Sequence, residues 1–129
     1  MEQLINCDLI LDIEMIDAIE GGNQEFEIYF TSTTKDKYVL VFKTVWDLRY
    51  SIENGYIDRF CRFRENLLPD LIENSIYIVK NSKYTEYFGI QSSGTLPIDD
   101  IVDYLICDNI DTTVEVLALE TPKLFKLSY

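Results

Sequence analysis

From Ile5 the chain alternates. Ile5, Cys7, Leu9, Leu11, Ile13 and Met15 are apolar, with Asn6, Asp8, Asp12 and Glu14 between them and only Ile10 out of phase. A period of two with one acidic face predicts a half-buried strand. The phase changes near Met15 and Ile16, and Gly21-Gly22-Asn23 marks a turn. Phe26, Ile28 and Phe30 then alternate with Glu25, Glu27 and Tyr29. After the polar Thr33-Thr34-Lys35-Asp36-Lys37, the run Tyr38-Val39-Leu40-Val41-Phe42 reads as a buried strand paired to it in a hairpin. Three antiparallel strands are therefore expected in the N-terminal part.

The period lengthens over Val45–Arg64. At about 100° per residue, Val45, Leu48, Ile52, Tyr56, Phe60 and Phe63 fall within one stripe roughly 120° wide. Asp47 in the first turn suits a helix N-terminus. Arg49 with Glu53 and Asp58 with Arg62 are i,i+4 pairs of opposite sign. The spacing predicts a core helix, with Asn54-Gly55 as its weak point. Glu65–Asn74 reads as a loop with a short helical turn around Leu67-Leu68-Pro69-Asp70.

Ile76-Tyr77-Ile78-Val79 is β-branched and aromatic, which predicts a strand. Ser82 then caps a helix carrying Tyr84, Tyr87 and Phe88, which ends before Ser92-Ser93-Gly94. Residues 98–108 satisfy two templates. Ile98, Ile101, Val102, Leu105 and Ile106 fit a helix, whereas Tyr104-Leu105-Ile106-Cys107, Asp108-Asn109 and Thr112–Leu117 fit a hairpin. The reading adopted is a helical turn at 98–101, a strand from 102, and a last short strand at Leu124–Leu127 after Pro122. Strands and helices come in blocks, which predicts one α+β domain over residues 1–129. Its antiparallel sheet of about five to six strands would have two or three helices packed on one face.

Composition adds a field to this outline. The 129 residues carry a net charge of −12, and the charge is unevenly spread. Residues 1–34 hold eight acids and no base, residues 35–90 eight acids and nine bases, and residues 91–129 seven acids and two bases. Such a field repels nucleic acid and anionic membranes and attracts basic surfaces. Apolar runs are too short for a spanning helix. The N-terminus lacks the pattern of a signal peptide. The three cysteines, Cys7, Cys61 and Cys107, are odd in number and widely spaced, as expected of reduced, mostly buried thiols in a cytoplasmic protein.

The chemistry open to the chain is narrow. With no histidine, Ser-His and Cys-His nucleophile pairs and His-based metal sites are excluded. Cys61 lies among Arg59, Arg62 and Arg64, which lowers a thiol pKa, but it has no general base beside it and reads as structural. Asp99, Asp100, Asp103, Asp108, Asp111 and Glu115 form the densest carboxylate group, without the order of an EF-hand loop. They read as a solvated acidic edge. Gly21-Gly22 and Gly94 are turn glycines and make no phosphate loop. No cofactor, metal site or catalytic set is expected. The residues singled out for partner contact are Asp99, Asp100, Asp103, Asp108 and Asp111, with Trp46 beside Arg49 as an aromatic anchor.

Asn81-Ser82, Tyr84 and Phe88, Ser93-Gly94, Glu115-Val116-Leu117 and Pro122 give the last third of the chain a resemblance to the small acidic immunity proteins that accompany bacterial polymorphic toxins. The resemblance implies a binder that neutralises a cognate toxin by occluding its active or substrate-binding surface. The charge implies the same partner class, since toxins that act on nucleic acid present basic clefts and an acidic protein is steered to them. Three other readings remain: a phage-encoded inhibitor of a host defence or nucleic-acid-binding protein, acting as a DNA mimic; a small carboxylate-dependent enzyme or metal-binding regulator; and a homodimer joined through the Trp46 face.

Overall fold

Two antiparallel sheets packed face to face make up most of the described residues. The computed structural model describes residues 2–52, 72–91 and 98–128. Its strands are β1 (Gln3–Asn6), β2 (Ile13–Gly22), β3 (Glu25–Ser32), β4 (Lys37–Phe42), β5 (Val45–Ile52), β6 (Ile76–Lys80), β7 (Val102–Cys107), β8 (Thr112–Ala118) and β9 (Lys123–Lys126). One helix, α1 (Lys83–Gln91), and one 3-10 turn (Ile98–Asp100) complete the described elements. The first sheet has the order β1-β6-β7-β8-β5 and the second β2-β3-β4-β9.

Alternation along the strands sends one set of side chains into the space between the sheets. Ile13, Ile28, Phe30, Leu40 and Phe42 from the second sheet meet Ile76, Tyr104, Ile106, Val114 and Val116 from the first. Phe42 meets the Tyr104 ring edge-on across the gap, at 5.5 Å between centroids and 63° between planes. Cys7 is buried in the same core. Part of the outer face of the first sheet is also covered, where α1 lies on it. Tyr84 and Phe88 from the helix pack with Ile101, Leu117, Leu119 and Trp46.

The expected antiparallel sheet and helical cover are present, with differences. There are two sheets and nine described strands rather than one sheet of five or six, and one described α-helix rather than two or three. Val45–Ile52, expected as the start of a core helix, is the edge strand β5, paired antiparallel with β8. A β-bulge between Val45 and Asp47 explains the misreading. By absorbing Trp46 it puts Val45 and Leu48, three apart, on one face of the sheet. That spacing imitates a helix, while the β-branched and aromatic content of the segment favours a strand. Arg49 faces Glu115 across the ladder, and Glu53, its expected i,i+4 partner, lies outside the described residues. Residues 53–64 of the expected helix, Cys61 among them, lie outside the described residues, as do the Leu67-Leu68-Pro69-Asp70 turn and Ser92-Ser93-Gly94.

The N-terminal meander is three-stranded as expected, but its first strand starts later. The alternating run from Ile5 to Met15 is split between β1, in one sheet, and β2, in the other. The change of phase at Met15 and Ile16 is real. It is a pair of register shifts in β2, between Ile13 and Met15 and between Ile16 and Ala18. The hairpin that follows closes at Gly22 and Glu25, so its two loop residues are Asn23 and Gln24. Their φ values of 52° and 68° give the doubly left-handed turn that suits a right-twisted ribbon. Gly21 is required beside it, since its φ is 146° and an added Cβ would lie 2.2 Å from the Glu25 carbonyl oxygen. The strand from 102 and its hairpin partner occur where expected, the helical turn is one residue shorter at Ile98–Asp100, and the terminal strand lies one residue earlier at Lys123–Lys126.

Candidate functional site

The acidic stretch from Asp99 to Glu115 spans the whole of β7, so its carboxylates cannot share one patch. Six residues of strand separate its two ends by about 20 Å. Asp99 and Asp100 are exposed in the 3-10 turn before β7, Asp103 and Glu115 project from the ladder under α1, and Asp108 and Asp111 form the β7–β8 turn.

The helix side is a network of polar groups built around two buried acids. Ser82 caps α1 by accepting the Thr85 N–H at 3.0 Å, and its hydroxyl donates to Asp103 Oδ2. Asp103 is 2 % exposed, so its carboxyl group serves the interior. Glu115 has no exposure at all. It accepts hydrogen bonds from Arg49 at 2.9 and 3.2 Å, an ion pair that balances a charge no water reaches. The same guanidinium lies 3.9 Å above the Tyr84 ring, and the Tyr84 hydroxyl donates to Asp47 at 2.7 Å. Burial first, and then the Asp47 carboxylate that accepts this proton, push the Tyr84 pKa far above the ordinary phenol value. Trp46 is half-buried against the same cluster, and its indole Nε1 has no hydrogen-bond partner among the described residues. Beside this network, between α1 and the ends of β6 and β7, runs a groove of about 1020 Å³. Its walls include Val79, Ile90 and Ile101 as well as Glu86 and Asp103.

The opposite end of the β6–β7 pair is built from three connections tied together by hydrogen bonds. Asn74 is the central tie. Its Oδ1 accepts the Leu11 N–H at 2.7 Å and the Ser75 N–H at 2.9 Å, while its Nδ2 donates to the Leu9 and Ile76 carbonyls at 2.8 and 2.9 Å. The link between β1 and β2 is thereby held against the approach to β6. Asp108 organises the β7–β8 turn by accepting the N–H groups of Ile110, Asp111 and Thr112 at 2.9–3.0 Å. Its second oxygen accepts the Ile16 N–H at 3.1 Å, which docks the turn on the edge of β2. Asn109 adds an N–H to the Ile13 carbonyl and a side-chain contact to Asp12. Asp111 accepts the Thr112 hydroxyl.

Of the six residues singled out for partner contact, the fold brings Asp108 and Asp111 together and Asp103 near Asp99, and it buries Asp103. Trp46 belongs to the helix-side cluster. Three exposed apolar residues were not singled out. Ile10, Ile72 and Ile110 are large hydrophobic side chains left exposed on or beside the three tied connections. A trace was present in the sequence: Ile10 breaks the alternation of its run, and Ile110 stands in a turn otherwise made of Asp and Asn.

Among the described residues no group of three or more Cys, Asp or Glu is arranged to hold a metal ion, and no helix is long and apolar enough to cross a membrane. No family model, curated protein or solved structure matches the chain.

Proposed function

We propose that this chain is a non-enzymatic acidic binding protein of the immunity type, which neutralises a basic partner such as a toxin nuclease by occluding its active surface. One observation carries the reading. Nineteen of the 23 acids lie in the described segments against eight bases, and four of those bases, Lys35, Lys37, Arg49 and Lys126, are already engaged with carboxylates. The surplus is left largely facing solvent, on loops and on the strands of the β2–β3 hairpin alike, where it steers a cationic protein and repels a polyanion. The buried acids are used up in holding α1 to the sheet, so they offer no paired carboxylates for acid–base work.

The partner is sought next to this chain's own gene. The protein encoded by the neighbouring open reading frame is purified and titrated with this chain by calorimetry at low and high salt. A stoichiometric complex that weakens as salt rises, and that suppresses the partner's activity, is the expected result. Salt-independent binding, or no complex, refutes the charge-based mechanism.

A further inference from the structure

We propose that the end of the sandwich formed by the β1–β2 link, the approach to β6 and the β7–β8 turn is the surface that seats the basic partner, with Ile10, Ile72 and Ile110 as its apolar contacts. The assignment rests on the acidic-binder reading and gives that reading a place.

Exposure is the first observation. Ile10 is 63 % exposed, Ile110 61 % and Ile72 42 %. They lie on or within two residues of a shallow depression of about 430 Å³ lined by Ile10, Asp12, Glu73 and Asn109. Large apolar side chains grouped on a polar surface mark contact sites. Rigidity is the second. Four hydrogen bonds to the Asn74 side chain and four to the Asp108 carboxylate fix the backbone under these residues. Little conformational entropy is then lost when a partner docks.

Charge selects the occupant. Asp12 and Glu73 line the depression and are exposed, exposed Asp8 stands two residues before Ile10, and Asp111 is half-exposed in the turn. A second copy of a chain with net charge −12 is repelled by these acids. A protein surface carrying lysine or arginine around an apolar spot is complementary to it, in the usual arrangement of an apolar centre with a polar rim. The helix-side groove is the competing surface. Its buried acid is already engaged with the helix cap, which makes that groove part of the scaffold.

A random-peptide library displayed on phage is selected on the immobilised protein and, in parallel, on Ile10→Ser/Ile110→Ser and on Ile90→Ser at the groove rim. Circular dichroism confirms that each variant is folded. The wild type is expected to enrich peptides that combine Lys or Arg with an apolar residue. Loss of the two isoleucines lowers their recovery by about tenfold, and Ile90→Ser leaves it unchanged. Equal recovery from the double variant, or loss with Ile90→Ser, overturns the surface and leaves the acidic-binder reading standing. Failure of the wild type to enrich basic peptides overturns both. A wild-type dimer that the double variant dissociates makes this end a self-contact and also overturns the proposal.

Discussion

The two ends of the β6–β7 pair use the same residue types in opposite ways. On the helix side, carboxylates turn inward. Glu115 is matched by Arg49, Asp103 takes the Ser82 hydroxyl, and the aromatic rings close over them. At the loop end, carboxylates gather backbone N–H groups at the surface, as Asp108 does, and isoleucines turn outward. One end is sealed and the other presented. Acidic residues a few positions apart in sequence thus belong either to the scaffold or to the exposed loop end, and the ladder position decides which.

The largest effect is expected on the sealed side. Arg49→Met takes the guanidinium from a carboxylate with no solvent exposure and removes a cation from the Tyr84 ring. The cost in chemical denaturation should be about 3 kcal/mol, toward the low end for breaking a buried pair because the arginine side chain is 45 % exposed. Adding Glu115→Leu should recover most of it, since the buried charge is then gone as well. If Arg49→Met is silent, the helix side is not held by this pair.

How much of this was legible follows from what periodicity can report. The meander, the β6 strand, the capped helix and the β7–β8 hairpin were readable because alternation, Ser82 and the Asp-Asn turn are local signals. Val45–Ile52 was not, because a bulge at Trp46 rephases its inward side chains to a spacing of three. The division into two sheets was hidden for a related reason. Alternation continues from Ile5 to Met15 through a link whose hydrogen bonds go to Asn74 and Ser75, 62 to 63 residues away. The acids were visible, but their fates depend on cross-strand register, which sequence spacing does not contain. The exposed isoleucines were visible too. Ile10 stands inside an alternating run, where an odd apolar residue counts as noise, and Ile72 and Ile110 stand in segments read as loop and turn.

At the presented end the expected loss is smaller and more local. Asn74→Ala removes four hydrogen bonds and leaves the Leu9 and Ile76 carbonyls and the Leu11 N–H to find new partners. About 2 kcal/mol of stability should go. Hydrogen exchange should accelerate at Leu11 and Ser75 while the β8 amides keep their protection. Acceleration spread through both sheets would mean that the loop end is not a separate tie.

A pH titration separates the two regions by their tyrosines. Burial raises the pKa of Tyr84 and Tyr104 above the ordinary 10.0, and burial also raises that of Tyr77 near the loop end. Below pH 10 folded and unfolded chains both hold these protons, and the full stability is present. Above it the unfolded chain releases them first, so stability must fall as pH rises. Tyr84, raised the furthest, makes the largest contribution, and Tyr84→Phe should flatten the alkaline limb measured by denaturation. An unchanged limb would mean that the Tyr84 hydroxyl is not sealed under α1.

The smallest effect belongs to the acids that serve neither end. Asp99 and Asp100 stand exposed in the 3-10 turn, apart from both the isoleucines and the Arg49 network. Asp99→Asn/Asp100→Asn should leave the melting midpoint unchanged, because no buried partner depends on either charge. Removing two of the surplus negative charges should slow association with a basic partner slightly at low salt and not at high salt, with dissociation unaffected. Stopped-flow mixing at two ionic strengths measures this. A large increase in the dissociation rate would place these carboxylates inside the interface, and the groove side, not the isoleucine end, would then be the face that holds the partner.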